Sequence, residues 1–464
     1  MKSLAMIVLR GFLAESLVLV LFVVAPWYVS VANSSPMRIP LDEYRARALY
    51  FAAVLLIAGG LAYFAGKVWL AAYWDASWDL NRMSRAANLE PTNAAYWDRL
   101  GWYEKWNFER RDLRRTVAYF ERATEANPRS DIYWMDLADA YEALGQPERS
   151  REAFKRAQSV HPISSDAAWR YGNFLLRRGE YREAFAELRR ALESDSSLTV
   201  EAISECSKAA DDLPRVLAEV LPAENRYYLT AMNYFLGQHQ VDAAATVWDQ
   251  LLKLKQGAQM TQVVPLINEL IREERVEEAL RVWQQALKAT NWPQEQSGDS
   301  SAVFNGGFEH DLLNGGFDWR EDPIPSAAFH SDDDVAHSGR WAVRITFDGS
   351  SNPDFRNLWQ VCPVEPGRHY HFAAYVRVEG ISTDSGVRFA IHDTLRPAAL
   401  QILTPDLVGT HPWSLLEADL VTGPETHLLT IALRRLPSWK FDNKLRGTVW
   451  VDDVSLVPTQ ENRR

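Results

Sequence analysis

The chain has 464 residues, too many for one ordinary domain, and domains of roughly 100 to 200 residues predict two or three. A formal net charge of -11 with no strongly basic stretch excludes a surface built to neutralise nucleic-acid phosphates. Cys206 and Cys362 have neither a second Cys nor a metal-spaced His nearby, so two unpaired thiols are expected and no structural disulfide.

Two apolar stretches open the chain. Leu17 to Val31 is short for a spanning helix and follows Arg10 and Glu15. Ala48 to Ala72 carries Lys67 as its one charge over 25 residues, enough to cross a hydrocarbon core that needs roughly 20. Trp69, Tyr73, Trp74 and Trp78 mark its C-terminal end, where amphipathic aromatics favour headgroups. The first stretch reads either as a second span or as a cleaved signal, since Ser30-Val31-Ala32 is a small-residue cleavage pattern. Charge leaves the topology open: Arg38, Arg45 and Arg47 pull the loop inside, while Lys2 and Arg10 pull the N-terminus inside. Residues 1–74 are therefore expected to form a membrane anchor of one or two helices.

From Asp75 to Pro293 the pattern is helical and periodic. Pro128, Pro162 and Ser196 lie 34 apart. One frame carries Trp134, Leu137, Ala138, Tyr141, Gly145, Phe154 and Ala157; the next has Tyr171, Gly172, Leu175, Gly179, Tyr181, Ala184, Leu188 and Ala191. An earlier frame, Trp97, Leu100, Gly101, Phe120, Ala123 and Pro128, holds three extra residues, expected at the turn containing Asn107. Small residues on a first helix admit the bulky aromatics of its neighbour, and stacking at least three hairpins buries the apolar faces. Weaker units surround Tyr234, Gly237, Ala244 and Trp248, then Leu270, Ala279, Trp283 and Ala286. This pattern resembles tetratricopeptide repeats over nearly half the chain. The resemblance implies an all-α solenoid over residues 75–293 that presents a groove to protein partners. The charged runs Glu109 to Asp112 and Arg177 to Glu180 read as solvated turns or as partner contacts.

After Pro293 a polar run, residues 294–301, reads as a linker. The period then changes from 3.6 to 2. Val343, Ile345 and Phe347 alternate with Ala342, Arg344 and Thr346, and Tyr370 to Val378 alternate with His369 to Arg377. Val387 to Ile391 and Leu429 to Leu433 make further strands, so residues 302–460 are expected to pack as a two-sheet sandwich. Val449 and Val451 keep one phase and Val454 and Leu456 the other. A bulge at Asp452-Asp453 would turn both pairs into the core and aim carboxylates at a neighbour. Trp341 and Trp450 read as core, and Asp332-Asp333-Asp334 as a solvated loop.

Four ordered motifs, Asn305-Gly306-Gly307-Phe308-Glu309, Gly316-Phe317-Asp318-Trp319, His337-Ser338-Gly339-Arg340-Trp341 and Val449 to Leu456, resemble the framework of jelly-roll carbohydrate-binding modules. The similar families are four, nine and twenty-two, within the galactose-binding-like sandwiches. The resemblance implies a glycan partner and a structural calcium ion held by Glu309 with Asp452 or Asp453, which oxygen-only ligation suits. The competing reading is an Asp pair that caps backbone donors at the bulge. Candidate glycan contacts on the outward phase are His371, Tyr375, Arg377, Arg388 and His392, with Trp359, Trp413 and Trp439 at strand or loop positions that could add stacking. Ordinary packing is the competing reading for each.

The whole is expected to be a multidomain protein: N-terminal transmembrane helices, an all-α tetratricopeptide-type solenoid and a C-terminal all-β jelly-roll sandwich. The sugar-binding resemblance favours a bacterial inner-membrane protein with both larger regions extracytoplasmic, serving exopolysaccharide or O-antigen assembly or export. No phosphate-cradling Gly loop, Gly-x-Ser-x-Gly elbow, zinc helix or Cys cluster is present. Catalysis is therefore not expected, although Glu309, Asp318, Glu417 and Asp419 are the carboxylates a glycosidase would have to use.

Overall fold

The stretch expected to cross a membrane forms one helix, Tyr44–Asp75, long and apolar enough to do so. Among the described residues most of its apolar side chains are uncovered, Leu55, Leu56, Tyr63 and Phe64 being exposed, while Ala71 near its end is buried. The computed structural model describes residues 44–107, 112–290, 292 and 301–459. The first apolar stretch, Glu109 to Arg111 and most of the 294–301 linker lie outside those residues.

The chain divides into two compact units, residues 1–174 and 175–464, with the boundary inside the helix Ser165–Arg177. The first unit pairs helices as hairpins: Ala94–Trp106 with Leu113–Ala126, then Asp131–Ala143 with Pro147–Val160. Side-chain caps start several of them, Asp79 accepting from the Arg82 amide at 2.9 Å and Asp112 from those of Arg114 and Arg115. Asp112, from the charged run, is thus a helix cap. Six residues, 107–112, separate the first pair of helices and three, 144–146, the second, so the three extra residues fall where they were expected.

Packing follows the repeat chemistry. A Cβ on Gly101 would stand 2.6 Å from the ring of Phe120, so only glycine fits there. Trp97 and Trp134 each donate to the carbonyl of the proline that precedes their helix, Pro91 and Pro128, both at 2.9 Å. Gly145 and Gly179 differ from the expected packing role. Nothing would meet a Cβ there, and φ of 76° and 74° shows that each instead ends a helix in the left-handed conformation.

In the second unit Tyr181–Ser194 is followed by a hairpin that the repeat pattern did not single out, Thr199–Ala209 with Leu213–Val220. Two more hairpins follow, Asn225–Gly237 with Val241–Lys253 and Met260–Arg272 with Val276–Ala289. Trp248 is fully buried and donates to Gln285 at 3.1 Å, joining these two pairs. Arg178 and Glu180, from the second charged run, pair across their turn at 3.0 Å.

The last helices share a unit with ten strands: β1 Arg320–Glu321, β2 Ala327–Asp332, β3 Ala342–Asp348, β4 Phe355–Pro363, β5 His369–Ile381, β6 Arg388–Asp393, β7 Gln401–Leu403, β8 Gly409–Val421, β9 Leu428–Arg435 and β10 Arg446–Pro458. They form two antiparallel sheets, β1-β4-β9-β6-β7 and β2-β3-β10-β5-β8. Between them lies one core, fed by Phe372, Val376 and Val378 from one sheet and Phe389, Ile431 and Leu433 from the other. The helices meet this sandwich through Trp283, whose ring sits edge-on to Phe304 and Phe317, and Asn268, which accepts from the Gly316 amide at 2.8 Å.

The register of β10 against β5 slips between Asp452 and Ser455, and Val449, Val451, Val454 and Leu456 are all buried. The bulge is where the phase change placed it; Asp453, with φ of 46°, absorbs the extra residue. Cys206 and Cys362 are both free and buried.

Candidate functional site

The framework motifs lock one another. Asn305 bonds both ways with the His310 backbone, at 2.9 and 3.2 Å, and its carbonyl receives the Trp319 indole at 3.2 Å. Gly306 accepts from the Val454 amide at 2.9 Å, so the first and last motifs touch. Between them lies the loop of the third motif, held by the carboxylates proposed for calcium. Glu309 accepts from the amides of Arg340 and Trp341 at 2.7 and 3.1 Å through a single oxygen. Asp452 accepts from the amides of His337 and Ser338 at 2.7 and 3.1 Å, and its other oxygen takes the Asp453 amide at 2.7 Å. Burial pushes Asp452 up to about 6, against the pull of those amides. Asp453 holds the Ser338 hydroxyl at 2.7 Å and the His337 ring at 2.5 Å. Gly339, with φ of 61°, bends the loop over Glu309, whose carboxylate fills the space a Cβ would need.

The three carboxylates therefore converge on one loop, Glu309 and Asp452 as caps of its backbone donors and Asp453 as a partner of its side chains. Among the described residues no group of three His, Cys, Asp or Glu side chains is arranged to hold a metal. Both Asp452 oxygens and one Glu309 oxygen accept amide hydrogens here.

His337 connects this clamp to the outer face of the second sheet. Its ring lies on Tyr375 with centroids 3.6 Å apart and planes 14° apart, and meets Trp413 edge-on at 5.6 Å. Beside Tyr375 on β5, Arg377 covers the Trp450 ring at 5.1 Å, and the Trp450 indole donates to Asp332 at 2.8 Å. Further along, His371 bonds Asp419 at 2.8 Å with Glu417 beyond. This face is thus a row of aromatic, cationic and imidazole groups.

The other candidates lie elsewhere. Trp359, Arg388 and His392 belong to the first sheet. Trp359 is roofed by the Arg320 guanidinium at 4.5 Å and donates to Asp322 at 2.8 Å. Arg388 pairs with Asp406 at 2.8 Å, and burial lowers the His392 imidazole below its ordinary value. Trp439 stands fully exposed on the loop between β9 and β10.

Several expectations need correction. Trp450 is buried, but on the side of β10 opposite Val449 and Val451 and hence outside the core between the sheets. Trp341 is only half-buried, under Arg340. Asp332 is a buried anchor rather than part of a solvated loop. Burial works against its charge, but the Trp450 indole, the Asp334 amide and Arg344 outweigh it and lower the pKa. The carboxylates a glycosidase would need have local partners. Glu309 caps the loop, Glu417 and Asp419 flank His371, and Asp318 is fully buried against the Leu313 amide. Burial pushes Asp318 up to about 7. His337 was missed as a site residue; its place in the third motif, opposite the bulge carboxylates, was the available signal.

The first unit carries a second polar row. Trp102 and Arg170 bond Asp136 from either side at 3.0 and 2.8 Å, each 34 residues away, and Arg170 also holds Asp139 at 2.6 Å. Asp98 is pushed up to about 7 by burial and by the Asp136 carboxylate beside it. Periodicity places these groups on the first helices of successive hairpins.

Residues 108–159 and 135–198 match the family model of the tetratricopeptide repeat. The small glutamine-rich tetratricopeptide repeat-containing protein 2 of Mycosarcoma maydis is 29% identical over 87 residues, 19% of this chain. The chain spans a quarter of the length of that relative, 25%. Among solved structures, Pseudomonas aeruginosa PilF has a TM-score of 0.23 at 17% identity over 42% of this chain and 76% of its own. A chain described as CBM4 has a TM-score of 0.25 at 12% identity over 34% of this chain and 99% of its own. The CBM22-1 and GH10 modules of Clostridium thermocellum xylanase 10B, complexed with xylohexaose, have a TM-score of 0.23 at 13% identity over 32% of this chain and 27% of theirs. The helical region thus contains tetratricopeptide repeats, and the C-terminal region is an all-β sandwich.

Proposed function

We propose that this chain is a non-catalytic adaptor, anchored in the cell envelope by the helix Tyr44–Asp75, that holds a protein partner on its helical repeats and a glycan on its sandwich. The observation that carries the glycan half is the row on the outer face of the second sheet, where Tyr375, His337 and Trp413 meet beside Arg377 and His371. Rings supply apolar faces for a pyranose, and the cation and imidazole supply hydrogen bonds to hydroxyls. The protein half rests on the repeat match and on the polar row of the first helices, in which Arg170 and Asp139 stay partly exposed while Asp136 is buried beneath them. The anchor rests on the uncovered apolar helix, and an extracytoplasmic placement for the rest follows from the glycan reading.

Glycan-array binding of the intact chain tests the proposal. Trp413→Ala is expected to weaken the bound glycan about tenfold or more, a loss of roughly 1.4 kcal/mol. Trp359→Ala, on the other sheet, is expected to leave it unchanged. Absence of binding to any glycan would sink the glycan half. It would favour the second reading, a purely protein-binding scaffold, for which one observation already speaks: His337 covers Tyr375 and Arg320 covers Trp359, so own-chain groups occupy places where a sugar would stack.

A further inference from the structure

At one end of the sandwich, the loop between β9 and β10 exposes two large aromatic side chains completely. Trp439 is 99% exposed and Phe441 106%, while the residues at the feet of the loop, Ser438 and Leu445, are buried. Such exposure is costly in a soluble domain and marks a surface that meets something apolar. The loop is also fastened. The fully buried Arg435 donates from its guanidinium to Asn352, Pro353, Thr383, Ser385 and Asn443, drawing three loops together beneath it. Ser438 adds bonds to Asn352 at 3.0 Å and to Asp384 at 2.5 Å. Two rings held out on a fastened base form a built projection.

We infer that this projection inserts into the headgroup region of an anionic lipid bilayer. Its shape and charge separate this occupant from a sugar. A sugar site is concave and buries most of its ligand, whereas nothing surrounds Trp439 or Phe441. Lys440, Lys444 and, at the start of β10, Arg446 stand against Asp442 in this segment; Lys440 pairs with Asp384 at 3.2 Å, and the remainder is a slightly basic tip on a chain whose formal net charge is -11. Aromatics flanked by lysines suit the membrane interface, the rings entering the boundary and the cations meeting lipid phosphates. The inference rests on the membrane anchor proposed above, since a chain tethered through Tyr44–Asp75 meets a bilayer at high effective concentration.

The test uses the full chain reconstituted in vesicles of equal parts phosphatidylglycerol and phosphatidylcholine. An environment-sensitive fluorophore is placed on Asp442→Cys, or on Glu425→Cys among the loops at the opposite end of the sandwich. The native Cys206 and Cys362 are buried and do not compete for the label. Nitroxide lipids labelled near the headgroup are expected to quench the probe at 442 at least about twofold more than at 425, and less in pure phosphatidylcholine, because each basic residue near an anionic surface contributes measurably. Trp439→Ala with Phe441→Ala, both at exposed positions, is expected to abolish the difference. A chain that floats with vesicles yet is quenched equally at both positions overturns the inference and leaves the anchor standing. A chain that neither floats nor is quenched overturns both. A probe at 442 that responds to an added glycan panel and not to lipid assigns the loop to sugar and equally overturns the inference.

Discussion

The helical repeats and the sandwich hold themselves together over different distances along the chain. In the repeats, side-chain bonds between hairpins join residues 20 to 37 apart, as in Tyr141 to Glu121, Arg170 to Asp139, Trp102 to Asp136, Tyr227 to Leu192 and Trp248 to Gln285. In the sandwich, the bonds that close it join residues 115, 118 and 155 apart: His337 to Asp452, Trp450 to Asp332, and Leu456 to Ser301. The repeats are thus a sum of neighbouring units, whereas the sandwich is one closed circuit. Damage should stay local in the first and spread in the second.

The strongest test of that difference pairs two truncations of similar cost. Phe389→Ala and Trp248→Ala each remove a fully buried ring, at about 3–5 kcal/mol. Hydrogen-exchange mass spectrometry is expected to show lost protection across both sheets for Phe389→Ala, including β2 and β10. For Trp248→Ala the loss should centre on residues 225–289 and fade beyond the adjoining hairpins. Equal spread in both would break the comparison.

A smaller effect is expected from pH. Asp318 is pushed up to about 7 by burial, from an ordinary 3.8, so between these values the folded sandwich keeps a proton that the unfolded chain has released. Its contribution to stability is therefore present at low pH and lost as pH rises from about 4 to about 7. Asp318→Asn, neutral at every pH, is expected to stabilise the sandwich at pH 8 by on the order of 2–4 kcal/mol, seen as a higher melting temperature there and a flatter pH dependence. Thermal melts from pH 5 to 8 check this. The smallest expected effect is that of calcium. Because Glu309 and Asp452 already hold the loop through its amides, calcium or a chelator is expected to leave the sandwich's melting temperature unchanged, and a clear upward shift with calcium would support the metal reading.

The same contrast explains what could be read from the chain alone. A 34-residue period is visible without knowing any distant contact, so the hairpins could be located, down to the three-residue excess near Asn107. The hairpin Thr199–Ala209 with Leu213–Val220 escaped because its packing residues, Ile203, Val216 and Leu217, lack the aromatic spacing of the others. In the sandwich, alternation identified the inward row of β5 and the phase change identified the bulge, both being local signals. Alternation says which residues face away from the core but not which sheet they decorate. The eight glycan candidates consequently fell on two sheets and a loop. Nor could it say that His337 would lie on Tyr375 or Arg320 over Trp359, since these contacts depend on where loops return. Asp332 looked solvated for the same reason: its partner Trp450 is 118 residues away.

The extra residue in β10 divides that strand into two halves of opposite parity. The extra residue serves the His337 loop and not the core. Loss of a single residue between Val451 and Val454 would restore plain alternation and leave Val454 and Leu456 facing the core, but it would close the bulge and remove one of the carboxylates that hold the His337 loop. Relatives of this sandwich that lack the extra residue should therefore keep the core pairs of β10 and lose the anchored His337 loop.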